Sequence, residues 1–194
     1  MNLLSGNVCR PDEAAALKGL RGLLCQDLGT ETAKGALFRV GLRFALPAGR
    51  MSWRLKADIK PTVLEMDKGL VIHPLAFLAG DDIVAAACLR KIRNDKLVAG
   101  VLIRSADGLF RERIDVNEGE IFRDGPVRWE LELLRVGTRQ TTAVVRLNNN
   151  VVARINGDTT SVEPDAACVG ILHRHNGLQI TLHVDQLLLT EALR

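Results

Sequence analysis

The stretch LVAGVLIRSADGLFRERIDV, residues 97 to 116, decides the fold class. Leu97, Ala99, Val101 and Ile103 share one phase of its first run, and Phe110, Ile114 and Val116 share one phase of its second, opposite Arg111, Arg113 and Asp115. A period of two is the signature of β-strands with one dry face. Asp107-Gly108 between the runs suits a type I′ turn, whose twist matches that of right-twisted strands, so the spacing predicts a hairpin with Ala106 facing Leu109. A lone hairpin is not stable in water, and this one requires more sheet around it.

The flanking sequence supplies that sheet. Upstream, Phe38 to Leu46 and Met51 to Ile59 alternate apolar and polar residues around the turn Pro47-Ala48-Gly49. Residues 61 to 74 hold a short apolar piece, Gly69 to Ile72, between prolines that exclude a central strand position. Leu75 to Leu78 and Ile83 to Ile92 are apolar on both phases, as in strands covered on both faces, and Asp81-Asp82 lies in a turn between them. Downstream, Val127, Trp129, Leu131 and Leu133 alternate with Arg128, Glu130 and Glu132. Thr142 to Leu147 leads through Asn148-Asn149-Asn150 into Val151 to Ile155. Val169 to His175 and Leu178 to Val184 flank Asn176-Gly177, a strong hairpin signal. Some ten to twelve strands with regular turn signals predict an all-β antiparallel sandwich or barrel.

The N-terminal segment reads differently. PDEAAALKGLRGLLCQ, residues 11 to 26, places acidic residues in a first turn and Leu17, Leu20 and Leu24 at spacings of three and four, which predicts a short amphipathic helix. That leucine stripe either caps an open end of the β core or docks into a partner. The organisation expected is an arm over residues 1–35 followed by a β-sandwich over residues 36–194.

Composition narrows the class. The 194 residues are 47% hydrophobic, enough for one sizeable core. The formal net charge of +3 comes from interleaved signs with no basic block, which argues against a nucleic-acid stripe. Cys9, Cys25, Cys88 and Cys168 form no CxxC pair, so reduced structural cysteines are expected, with a Cys9–Cys25 bridge as the main exception. No signal peptide and no apolar run of the ~18 residues needed to span a membrane is visible. A chain that is cytosolic at synthesis, then exported by another route or packaged in a particle, fits these features.

RSADGLFRERIDV (104 to 116), PVRWELELL (126 to 134), VVRLNNNVVARI (144 to 155) and GLQITLHVDQLLL (177 to 189) together resemble the laminin G-like branch of the concanavalin A-like lectin and glucanase jelly rolls. The resemblance covers roughly residues 36 to 190 and implies a two-sheet jelly-roll sandwich. It further implies binding of glycans or proteins, hydrolysis of polysaccharides in some members, and adhesion or particle roles in others. The N-terminal helix is extra to that pattern, and residues 61 to 92 do not match it cleanly.

A glucanase would need carboxylates spaced along one strand. Glu65 and Asp67 lack a third partner, because position 70 is Leu, and Glu130 with Glu132 read as the wet face of a strand. Sugar platforms need exposed rings, yet there is no tyrosine, and Trp53, Trp129, Phe38, Phe44 and Phe110 fall on apolar phases. His173 and His175 share a strand face, whereas pairing across Asn176-Gly177 puts His183 on the other, so the three do not form a zinc site. Asp81, Asp82, His173 and His175 are kept as ligand-binding candidates. No cofactor and no metal ligand set is assigned, with calcium left open because Asp81, Asp82, Asp95 and Asp185 lack DxDxDG spacing. The resulting expectation is a non-enzymatic module that binds protein partners or its own copies in a larger assembly, without nucleic acid or membrane. A lectin-like glycan-binding module is the alternative, and a polysaccharide hydrolase the third reading.

Overall fold

A computed structural model describes residues 8–17, 22–29, 38–93, 96–114, 121–122, 124–174 and 178–192. These form two antiparallel sheets packed face to face. Sheet A runs β1 (Val8–Asp12), β2 (Gly22–Leu28), β14 (Gln179–Glu191), β4 (Ser52–Glu65), β10 (Val127–Leu134), β11 (Thr141–Leu147) and β12 (Asn150–Gly157). Sheet B runs β3 (Phe38–Ala45), β13 (Ala166–His173), β6 (Leu75–Ala79), β7 (Asp82–Arg93), β8 (Lys96–Arg104) and β9 (Phe110–Ile114), with the short β5 (Val71–Ile72) beside β7. None of the described residues forms a helix long and apolar enough to cross a membrane.

Alternation places the core as the sequence implies. Trp53, Leu55, Ala57 and Ile59 of β4 and Trp129, Leu131 and Leu133 of β10 meet Phe77, Ala85, Ala87, Val101, Ile103, Val169 and Ile171 of sheet B. Burial of this much apolar surface is the main stabilising term. Trp129 is sealed beneath Phe122, the ring centres 6.4 Å apart. β6 and β7 are covered on both faces, with Ala76, Leu78, Ile83 and Ala86 in a second apolar cluster. Asn148 and Asn149 take left-handed backbone angles, φ 50° and 70°, and make the two-residue reversal between β11 and β12.

Three expectations are corrected. First, the described residues between 11 and 26 do not form a helix. β1 and β2 are antiparallel strands, and β2 also pairs with β14, so it extends sheet A beyond that strand. Leu23, Cys25 and Asp27 face inward while Leu24 and Gln26 face outward, a period of two that the leucine spacing concealed. A Cβ at Gly22 would lie 2.2 Å from the Ala15 carbonyl oxygen, so glycine permits the close return of the chain. Leu17 donates its backbone N–H to Asp185 Oδ2 at 3.1 Å, Leu24 sits in β2, and Leu20 lies outside the described residues, so the leucines make no helical stripe.

Second, the hairpin over 97 to 116 turns through three residues. Ser105 donates to and receives from the Leu109 side of the loop: Ser105 N–H bonds the Leu109 carbonyl at 2.8 Å, and Gly108 N–H bonds the Ser105 carbonyl at 2.8 Å, with Gly108 at φ 81°. This is the type I turn with a left-handed glycine, not the type I′ turn. Ser105 rather than Ala106 thus faces Leu109, and the shift turns β9 over. Arg111 and Arg113 pair with Ile103 and Val101, and Phe110 is 45% exposed on an edge strand.

Third, β13 and β14 do not pair across Asn176-Gly177. β13 lies between β3 and β6 in sheet B, and β14 lies between β2 and β4 in sheet A, so the chain there crosses from one sheet to the other. The residue patterns explain the separation. β13 is buried at every position, which suits an interior strand, whereas β14 alternates.

Candidate functional site

The outer face of sheet A carries a connected network of paired charge on β4, β10 and β11, and strand register fixes its layout. Across β14, β4, β10 and β11, one row reads His183, Lys60, a second reads Asp185, Asp58, Arg128, a third Leu188, Lys56, Glu130, Arg146, and a fourth Thr190, Arg54, Glu132, Val144. Two irregularities in β14 and β4 make this possible. Thr62 of β4 is the extra residue opposite Thr181/Leu182, next to Pro61 with its missing N–H, and Gln186 at φ 50° and Leu187 bulge out of β14.

The charges are layered. Glu130 and Glu132 are each only 4% exposed and Asp58 3%, whereas the side chains above them are between 25% and 39% exposed. Arg54 Nε donates to Glu132 at 2.7 Å, Lys56 Nζ lies 2.7 Å from Glu130, and Arg146 donates to Glu130 at 2.9 Å and also to Glu132. Arg128 grips Asp58 with two N–H groups, at 2.7 and 3.1 Å. Burial pushes the Glu132 carboxyl up, but the bonds and charges of Arg146 and Arg54 outweigh it and hold the group below the ordinary range. Asp58 raises Arg128 above its ordinary value. Such a carboxylate cannot carry a proton near neutrality, so Glu132 is unsuited to be the general acid of a glycosidase, and it shares its arginines with Glu130.

His183 differs from its neighbours. It stands opposite Lys60 on β4 and Leu24 on β2, and burial together with the Lys60 charge lowers its pKa, against a smaller upward pull from Asp12. It is therefore a neutral imidazole at pH 7, able to accept a proton. In the rows beyond it, Thr181 lies between Gln26 of β2 and Val63 of β4, and Gln179 lies opposite Glu65 of β4. A cavity of about 190 Å³ opens at the other flank, lined by Asp58, Pro126, Arg128, Asn148 and Asn149.

Of the residues expected to bind ligand, Asp81 and Asp82 lie together on the surface and His173 is buried. Asp81 is ion-paired to Arg43 at 3.8 Å, and Asp82 to Arg104 at 2.7 Å and Arg174 at 3.9 Å, on the surface of sheet B. His173 is inside, its Nε2 2.8 Å from Asp27 Oδ2 with both side chains 1% exposed, and His175 lies outside the described residues. Among the described residues no three His, Cys, Asp or Glu side chains are grouped to hold a metal ion. Sequence reading saw Glu130 and Glu132 on one face but missed His183 beside Lys60. Their only signal is polar phase on two strands whose pairing is not visible locally.

No protein-family model matches the chain. No curated protein matches it either. Solved structures do. An alginate lyase from Klebsiella pneumoniae superposes with a TM-score of 0.64 at 12% identity, over 91% of this chain and 83% of that one. An endo-beta-1,4-glucuronan lyase from the fungus Trichoderma reesei gives 0.65 at 11% identity, over 97% and 88%. A functionally unknown protein from Saccharomyces cerevisiae gives 0.56 at 10% identity, over 98% of both chains. The expectation of a non-enzymatic structural or adhesive module does not stand, because the architecture on which it rested is the one these lyases carry. The fold itself is the concanavalin A-like jelly roll that the sequence resembles.

Proposed function

We propose that this chain is a polysaccharide lyase acting on a uronate-containing glycan, with the outer face of sheet A as its platform and His183 as its base. One observation carries the reading: a neutral histidine directly opposite an ammonium group, on a face where cations lie over buried carboxylates. A uronate residue needs both groups. Its carboxylate, met by Lys60, becomes a better electron sink, so that the proton on the adjacent carbon can be removed. His183 takes that proton, the electron pair forms a carbon–carbon double bond, and the glycosidic oxygen departs and receives a proton. With no tyrosine in the chain, the protonated His183 is placed to return that proton. Gln26, Gln179 and Thr181 offer hydrogen bonds to sugar hydroxyls in the rows beyond His183.

The lyase titles of the fold neighbours, alginate in one and glucuronan in another, supply the substrate class to try first. The assay follows ultraviolet absorbance of the unsaturated uronate product with alginate, glucuronan and de-esterified polygalacturonate. Turnover on at least one, abolished by His183→Gln, is the expected result. Binding without any double-bond formation would reduce the reading to a glycan-binding module, and neither binding nor turnover would remove it.

A further inference from the structure

We propose that Cys9 and Cys25 form a thiol–disulfide clip that locks β1 to β2 under oxidising conditions. The two residues are direct cross-strand partners, and their sulfurs are 3.6 Å apart while all four cysteines are reduced. Opposed residues on antiparallel strands have Cβ atoms about 4.5–5.5 Å apart, and a disulfide brings them to roughly 3.5–4.5 Å, so closure needs a shift of about 1 Å. β1 can supply it because it pairs only with β2 among the described strands.

The two thiols are unequal. Cys9 is partly exposed, and Cys25 is buried against the core, where a Cβ at Gly170 would lie 3.2 Å from its sulfur. The hydrogen bond from Cys25 holds the Cys9 thiol below the ordinary range, while that bond and burial push Cys25 up. Cys9 is thus the sulfur that meets oxidant. With a low-molecular-weight disulfide such as oxidised glutathione, the Cys9 thiolate attacks one sulfur and releases one glutathione thiol. The Cys25 thiolate then attacks the Cys9 sulfur of the mixed disulfide and releases the second. Two protein thiols are oxidised to one disulfide, and one glutathione disulfide is reduced to two thiols.

Closure bears on the face described above, since Leu24, next to Cys25, is the β2 partner of His183, and the β1–β2 connection is bonded to Asp185 through Leu17. The test incubates the full chain with oxidised glutathione, alkylates it under denaturing conditions and maps the peptides by mass spectrometry. The expected result is a Cys9–Cys25 linked peptide, with Cys88 and Cys168 alkylated, and a rise in Tm of roughly 5 °C. Cys9→Ser, a change at the partly exposed member, should remove both link and rise while keeping the Tm of the reduced protein. Four alkylated thiols after oxidation, a link from Cys25 to Cys168, or a Cys9–Cys25 link without a higher Tm would each overturn the proposal.

Discussion

His183 of β14 stands directly opposite Lys60 of β4, and the two share the open face of sheet A. Because burial and Lys60 lower the histidine's pKa, the acid limb of a pH–activity profile should fall below about 6.5, the ordinary histidine value. Lys60→Met removes one of the causes and should move that limb upward. His183→Gln should reduce kcat/KM by about 100-fold or more at unchanged Tm. The same depression has a stability consequence of fixed sign. The unfolded chain binds this proton more tightly, so the contribution of neutral His183 is complete above about pH 6.5 and is lost as pH falls through the folded value. An NMR titration of the His183 ring that gave a midpoint above the ordinary value would contradict this account.

Glu132 lies beneath Arg54 and Arg146. Its lowered pKa means that the stability it contributes is present above about pH 4.3 and is lost as pH drops through the folded value. Glu132→Gln leaves two arginines facing a neutral amide. Since those arginines are part-exposed, the cost should be about 2 kcal/mol rather than the larger penalty of a fully buried pair. Urea unfolding at pH 7 measures it, and the difference between variant and parent should shrink at pH 3.

Two glycines separate strain from collision. At Gly108 a Cβ has nothing within 4 Å, but φ is +81°, so Gly108→Ala should cost about 1 kcal/mol through backbone strain alone. At Gly22 the collision with the Ala15 carbonyl leaves no room, and Gly22→Ala should cost more than about 2 kcal/mol. Equal losses in denaturant midpoints would show that the close return between residues 15 and 22 is not as described.

Asp27 ties the two sheets together. One carboxylate oxygen meets His173 of β13 and the other accepts the Gly29 N–H at 3.0 Å. Asp27→Ala removes the partner of the buried His173 Nε2 and should cost about 2–3 kcal/mol, and Asp27→Asn, which keeps an acceptor, should cost less. Thermal unfolding of the pair decides it.

The parts of this fold that were legible in sequence are those where apolar residues alternate, as in β4 and β10, or fill both phases, as in β6 and β7. In β4 and β10 every core residue, Trp53 to Ile59 and Val127 to Leu133, follows from alternation. What failed depended on partners far along the chain. The leucine spacing imitates a helix although Leu17 lies in the connection after β1 and Leu24 in β2, with Leu20 outside the described residues. Asn176-Gly177 promised a hairpin, but turn chemistry reports a reversal and not the strand with which each arm pairs. Phe110 was assigned inward because one loop residue was miscounted, and with a period of two that suffices to invert a strand. The candidate site shared this limitation. Glu130 and Glu132 are close in sequence and were noticed, whereas His183 meets Lys60 only through two irregular strands 123 positions apart.

The central place of β14 in sheet A governs how the molecule is made. β2 and β4 are synthesised early, yet both pair with residues 179–191. On the ribosome each waits with an unsatisfied backbone edge until that strand has left the exit tunnel, so sheet A closes only after nearly all of the described chain has emerged. Such long-range pairing folds slowly and exposes intermediates to aggregation. Nascent chains halted before residue 179 should therefore remain protease-sensitive throughout sheet A, and yield on overexpression should respond to chaperone supply more than to the stability of the finished protein.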